Sequence, residues 1–538
     1  MDYIHETDEV LKMNNKEIIA AKVDELNNGE MKKIEVDNHK ILLSRIEGKY
    51  YALGGTCPHY GASLNEGVLS GERIYCPLHH ARFNAKTGDL EEPPTRDSLW
   101  KYPVKIRGEN VVLELPEKIK ESRVPEMTKY DPEADNRTFV IIGAGAAGNM
   151  AAQTLREDGF QGRIIMITKE NRLPYDRPDL SKAYLKGEVE PEWMPLRSKK
   201  FFEAYDIEIM LQKRVTSVKP KGKTVTFENG ESLHYDKLLL ATGSIPRNIN
   251  VPGANLKNIY TLRSWDDADM ILKASETAVK AAVIGASFIG MEVADSLTKR
   301  KLSVTVIALD SVPFERIFGK EIGNMFQQLH IENGVDFRLS SKIVRFEGNG
   351  KVKAIILEDG EKIKADLVIL GIGVIPATDF LNEIDLLPDG SVRVNEYFEV
   401  QEDIYAAGDI ATFIEFRTNQ VTRIEHWRTA LQQGRCAAHN MAGIKQSYNN
   451  IPFFWTSQAG LNLRYVGHTK EWDEIIIQGA VKFRNFIAYF VKNGKVRAFA
   501  GNNRDQEMDA AEELMRRGKI PSVESLRQGG IDLVSLVK

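Results

Sequence analysis

The stretch Phe139–Asp158, FVIIGAGAAGNMAAQTLRED, decides how the chain folds. Phe139–Ile142 is a short apolar run of strand type, Gly143–Gly148 a tight turn, and Ala151–Asp158 a helix, with a returning strand at Arg163–Thr168. The same order recurs at Ala281–Ile284, Gly285–Gly290, Met291–Arg300 and Ser303–Ala308. Two strand–turn–helix–strand units predict two α/β domains with parallel sheets, the architecture that binds nucleotides.

The turns carry the chemistry. Gly143, Gly145 and Gly148 let backbone approach a pyrophosphate, and the helix N-terminus behind them offers unpaired N–H groups and a positive dipole end. Glu170, just past the next strand, is placed to hold an adenosine ribose; the plain alternative is a solvated loop acid. In the second turn, Gly285, Ser287 and Gly290 keep the pattern with a small residue at its centre. Asp310 is the acid there, and no Arg follows the strand directly, which leans towards NADH with NADPH as the alternative.

Upstream, residues 16–115 read as short strands and turns, and contain Cys57-Pro-His59 and Cys76-Pro-Leu-His79, sixteen residues apart. Two loops that each give one Cys and one His suit a Rieske [2Fe–2S] centre, in which two imidazoles replace two thiolates on one iron. Zinc is the alternative for a Cys2His2 set, but zinc sites usually run C-x2–4-C followed by H-x3–5-H. Residues 116–136 are charged and carry Pro125 and Pro132, as a linker would. From residue 451 onwards, strands followed by a helix near Asp509–Arg517 suggest a small α+β domain.

Bulk properties narrow the classes. A chain of 538 residues needs several cores. A net charge of −4 with scattered Lys and Arg gives no basis for nucleic-acid binding, and no apolar run is long enough to span a bilayer. Asp2, Glu6, Asp8, Glu9 and Glu17 argue against an Arg-rich or basic leader, so a cytosolic location is expected, with a mitochondrial one as the alternative. The three cysteines make no disulfide framework and no C-x-x-C or C-x4-C pair; Cys436 reads as a buried helix residue.

CPHYGASL and CPLHHARFN resemble the two cluster-binding loops of Rieske ferredoxins of the oxygenase type. His80 departs from that pattern, standing where the family usually has Gly; spacing makes His79 the ligand. LPYDRPDLSK (Leu173–Lys182), LLLATGSIPR (Leu238–Arg247), LVILGIGVIPAT (Leu367–Thr378) and IYAAGDIA (Ile404–Ala411) resemble FAD-dependent pyridine-nucleotide reductases. The likeness is strongest to a Rieske-bearing, apoptosis-inducing-factor-like branch close to oxygenase-coupled ferredoxin reductases.

That resemblance implies a multidomain chain. An all-β Rieske domain (16–115) and the linker precede a discontinuous FAD-binding domain (137–265 and 384–450). An NAD(P)H-binding domain (266–383) is inserted into it, both nucleotide domains being Rossmann-like, and a C-terminal domain (451–538) follows. It places Asp409 on the ribityl chain, and Thr242, Gly243 and Gly373 beside the cofactors. Arg177 and Lys182 fall near the flavin, and Glu292 near the nicotinamide. Lys182 and Glu292 are the candidate catalytic pair, against plain readings as a surface lysine and a helix acid. Trp427 either packs on the isoalloxazine or lies in the core.

The implied activity passes electrons from NAD(P)H through FAD to the cluster and on to a protein or small-molecule acceptor, by a monomer or homodimer. The alternatives are a reductase component of an oxygenase system and a slow redox-sensing or cell-death interaction protein.

Overall fold

The computed structural model describes residues 16–538; of the N-terminal acids, Asp2, Glu6, Asp8 and Glu9 lie outside the described residues. Residues 16–115 are built from antiparallel sheets. One sheet pairs Lys101–Tyr102, Lys49–Gly54, His39–Ile46 and Met31–Val36. Its hairpins turn at Asp37–Asn38 and Glu47–Gly48, all four with positive φ, the paired left-handed conformation that matches strand twist. A second sheet, Val68–Ser70, Arg73–Tyr75, Arg82–Asn84 and Leu90–Glu92, carries the second cluster loop between its middle strands.

The parallel sheet opened by Thr138–Ile142 runs Ile207–Met210, Arg163–Ile167, Thr138–Ile142, Lys237–Leu240 and Ile404–Ala406, with Glu399–Gln401 antiparallel at its edge. The chain leaves this sheet after Leu240 and returns to it only at Glu399. Between these it forms a second parallel sheet of Ile259–Thr261, Leu367–Leu370, Lys280–Ile284, Ser303–Ile307 and Val335–Arg338. Helices α1 (Ala146–Glu157) and α2 (Phe288–Lys299) follow the two glycine turns. Both start inside the turn, three to five residues earlier than the apolar pattern suggests.

Helix α3 (Trp427–Ala442) packs on α1 so closely that a Cβ at Gly434 would stand 2.2 Å from the Ala147 carbonyl. The last unit is a five-stranded antiparallel sheet beginning with Phe453–Gln458, covered by α4 (Asp505–Arg517). The segment between the Rieske unit and the first parallel sheet is not a free spacer. Ser122–Arg123 pairs with Ser98–Leu99, the Trp100 amide donates to the Glu121 carbonyl, and the Thr128 amide donates to that of Arg156. Among the described residues no helix is long and apolar enough to cross a membrane.

Candidate functional site

The two cluster loops are built alike. In the first, the Cys57 amide donates to the Ala62 carbonyl and the Gly61 amide returns to that of Cys57; in the second, Cys76 pairs with Ala81 and His80 with Cys76 in the same way. Each loop thus curls around its own cysteine. The Nδ1 atoms of His59 and His79 face each other at 3.0 Å, and the two sulfurs lie within hydrogen-bonding reach. Burial drives His59 down to about 3 and His79 well below its ordinary range, so both imidazoles are neutral. The hydrogen bond with the neighbouring Cys76 sulfur, and then burial, push the Cys57 thiol up.

Among the described residues no three His, Cys, Asp or Glu side chains converge as for a single ion. A two-iron Rieske centre takes a pair of Cys on one iron and a pair of His on the other, which is what the two loops offer. The donor set fits that cluster.

Strand Phe453–Gln458 lies against these loops, and its alternation divides two environments. Phe453 stacks on His80 at 4.0 Å, and Trp455 lies 4.2 Å from His79 and 6.1 Å from His59 between ring centroids. On the other face, Phe454 stacks on His426 at 4.2 Å and meets Phe288 at 4.8 Å, while Thr456 donates to Glu292 at 2.7 Å. One strand therefore separates the cluster loops from the N-terminus of α2. Nothing in the sequence singled out Trp455, because its partner lies almost four hundred residues upstream.

Lys182 and Glu292, both expected near the nucleotides, form an ion pair at 2.8 Å. Ser181 donates to the same carboxylate oxygen at 2.6 Å, and Lys182 also donates to the Pro178 carbonyl. Tyr60, next to His59, donates to Asp179 at 2.8 Å, so the first cluster loop is bonded to the segment that carries Lys182. Asp176 sits beside them with its Oδ1 sealed from solvent and unbonded; burial, and then the charge of Asp179, raise it to about 7.

The first glycine turn has the shape of a ligand cradle. A Cβ at Gly143 would stand 2.1 Å from the Ala241 carbonyl and one at Gly148 1.8 Å from that of Gly143, so neither position admits a side chain. A Cβ at Gly145 would meet only Arg177 Nε at 3.9 Å, leaving room in front of the uncapped N-terminus of α1. Gly285 and Gly290 repeat the packed positions, and Ser287 caps α2 without using its hydroxyl. These cradles fit dinucleotide phosphates.

Glu170 is held by Arg177 at 2.6 Å and by the Tyr175 hydroxyl at 2.6 Å, and is not a free loop acid. Asp409 accepts from Ser244 at 2.7 Å and from Arg263 at 2.8 Å. Gly243 is left-handed at φ +68 against that arginine, the Thr242 hydroxyl donates to the Ala377 carbonyl, and the Gly373 carbonyl accepts from the Arg247 amide. Asp310 pairs with Arg316, six residues further along the chain, at 2.9 Å. Trp427 is half-buried and packs on the core under the first sheet, whereas its neighbour His426 takes the place against Phe454. Cys436 is buried in α3, as expected, with its thiol raised by burial to about 12.

Residues 137–434 match the family model described as pyridine nucleotide-disulphide oxidoreductase. The chain belongs to that family. Further matches to this oxidoreductase are the Rieske [2Fe-2S] domain over residues 16–103 and the reductase C-terminal domain over 453–537. It is 38% identical over 514 residues to "Apoptosis-inducing factor 3" of Homo sapiens, covering 94% of this chain and 84% of that one. To the "3-phenylpropionate/cinnamic acid dioxygenase ferredoxin--NAD(+) reductase component" of Photorhabdus laumondii it is 35% identical, over 71% of this chain and 96% of that one. Among solved structures, the covalent putidaredoxin reductase–putidaredoxin complex matches with a TM-score of 0.71 at 30% identity, covering 75% of this chain and 98% of that one. The oxidoreductase is thus a ferredoxin-reductase-like NAD(P)H enzyme that uses FAD and carries a Rieske [2Fe–2S] domain of its own.

Proposed function

We propose that the chain passes electrons from NAD(P)H to its own Rieske centre and from there to a separate protein or small-molecule acceptor. The observation that carries this reading is strand Phe453–Gln458, which has Trp455 against His79 on one face and Thr456 on Glu292 on the other. Bound there, FAD supplies two-electron chemistry with the nicotinamide and one-electron chemistry with the cluster.

The chain's residues bind and orient. The FAD-binding domain, 137–265 and 384–450, encloses the NAD(P)H-binding domain, 266–383, both Rossmann-like in this reading. The amides of Gly143–Gly148 and the N-terminus of α1 take the FAD pyrophosphate, Glu170 the adenosine ribose, and Asp409 the ribityl chain, with Thr242, Gly243 and Gly373 lining the passage. Gly285, Ser287 and Gly290 take the second pyrophosphate. Asp310 takes the adenosine ribose of NADH, in exchange for its bond to Arg316. Lys182, fixed by Glu292, presents a cation where negative charge accumulates on a reduced ring. Cys57, His59, Cys76 and His79 hold the cluster.

In the related solved complex a reductase is joined covalently to putidaredoxin; here the Rieske unit takes the partner's place within one chain. Service to an oxygenase is the second reading, favoured by likeness to an oxygenase reductase component. Anaerobic stopped-flow with NADH, followed by flavin bleaching and Rieske electron paramagnetic resonance, tests the relay. Bleaching followed by a reduced-cluster signal is expected; bleaching with a cluster that stays oxidised overturns it.

A further inference from the structure

Gly61 and His80 occupy equivalent places, each four residues after its cysteine and each donating its amide back to that cysteine's carbonyl. Both are left-handed, at φ +74 and +57. Glycine takes that conformation without strain, whereas a side chain there costs stability. The second loop nevertheless carries histidine, and its ring is fully buried.

The ring meets the C-terminal unit, with its Nε2 3.3 Å from Asp509 of α4. Its Nδ1 bonds Glu512 of α4 at 2.6 Å, and Phe453 stacks beneath it. The His80 carbonyl accepts from Arg428 of α3 at 2.9 Å, and Arg428 also donates to Glu512 at 3.1 Å and to the Pro93 carbonyl at 2.9 Å. One residue of the cluster loop is thereby tied to the helix that packs on α1 and to the helix of the C-terminal unit. His79, one residue earlier in the same loop, lies 4.2 Å from Trp455 between ring centroids.

We propose that His80 is a positioning residue: with Arg428 and Glu512 it locks the Rieske unit onto its own reductase and keeps the histidine edge of the cluster against Trp455. The lock stands on the contacts alone; its consequence for electron flow rests on the relay proposed above.

Hydrogen–deuterium exchange of the holoprotein, read on peptides covering 76–84 and 505–517, tests the lock. Stopped-flow transfer to the cluster is measured in parallel. His80→Gly removes the ring and relaxes the loop. It is expected to speed exchange in both peptides about tenfold, the net of a lost bond to a buried charge and relieved strain. Transfer to the cluster should slow, while flavin bleaching and the signal of the dithionite-reduced cluster stay as in the parent. His80→Asn, which tolerates the left-handed turn and still offers a donor, should restore most of the protection. Glu512→Gln, which leaves the loop sequence intact but strands Arg428, should speed exchange by about 100-fold.

Parent-like exchange in both His80→Gly and Glu512→Gln overturns the lock. Loss of the cluster signal in His80→Gly also overturns it, by placing the ring in cluster assembly. If NADH fails to reduce the parent's cluster, the relay falls and exchange still decides the lock.

Discussion

Lys182 and Glu292 lie 110 residues apart in sequence and meet as an ion pair at 2.8 Å, both largely withdrawn from solvent. The carboxylate is also bonded by Ser181 and, across the domain boundary, by Thr456. A cation held this firmly has one orientation to present, which costs nothing further when charge develops beside it.

Breaking the pair from one side leaves a buried charge alone. Glu292→Gln is expected to lower unfolding stability by about 2–4 kcal/mol and to slow flavin bleaching by NADH, with FAD content retained. Denaturant unfolding and stopped-flow read the two effects; a variant of parent-like stability would place the pair at an exposed, screened site.

The glycine packing predicts a clean loss of one cofactor. A Cβ at Gly148 would stand 1.8 Å from a backbone carbonyl. Gly148→Ala should therefore push α1 off its strand, at about 1–3 kcal/mol. Purified protein should lack FAD absorbance and keep the cluster's visible spectrum.

His59→Ala and His79→Ala should each abolish the Rieske signal and lower iron content, while NADH still bleaches the flavin. Metal analysis beside electron paramagnetic resonance checks this; a retained signal in either variant removes that residue from the ligand set.

Asp176 sets a pH dependence. Its folded value is raised to about 7, above the unfolded value, so the folded state holds a proton that the unfolded state has released between about pH 4 and 7. Stability contributed by this group is full at about pH 4 and is lost as pH rises through 7. Asp176→Asn should be the more stable protein at pH 8, by about 2 kcal/mol, and should show little advantage at pH 4. Thermal unfolding across that range measures it.

What could be read from sequence was local. Cys57-x-His59, Cys76-x-x-His79 and Gly143-x-Gly145-x-x-Gly148 are contiguous motifs whose spacing is the geometry. Their partners were not legible, since Trp455, Arg428 and Glu512 reach the cluster loops from segments hundreds of residues away. Trp427 is legible as an aromatic beside a motif, whereas the stacking of its neighbour His426 on Phe454 joins residues 28 apart that no motif links. The 116–136 segment looked like a spacer because its charge and prolines report solvent exposure, whereas backbone pairing to the Rieske unit fixes it. His80 alone left a trace: comparison with Gly61 shows a left-handed position filled by a residue that needs a reason to be there.

Contacts between residues more than four hundred positions apart set an order of assembly. Glu512 comes 432 residues after His80, and the Val537 carbonyl accepts from Ser70, 467 residues earlier. At about 5–20 residues per second of synthesis, the helix that covers the second loop emerges about 20–90 s after the loop itself. Throughout that interval the bond from His80 to Glu512 cannot form. The second loop is therefore made well before the helix that encloses it.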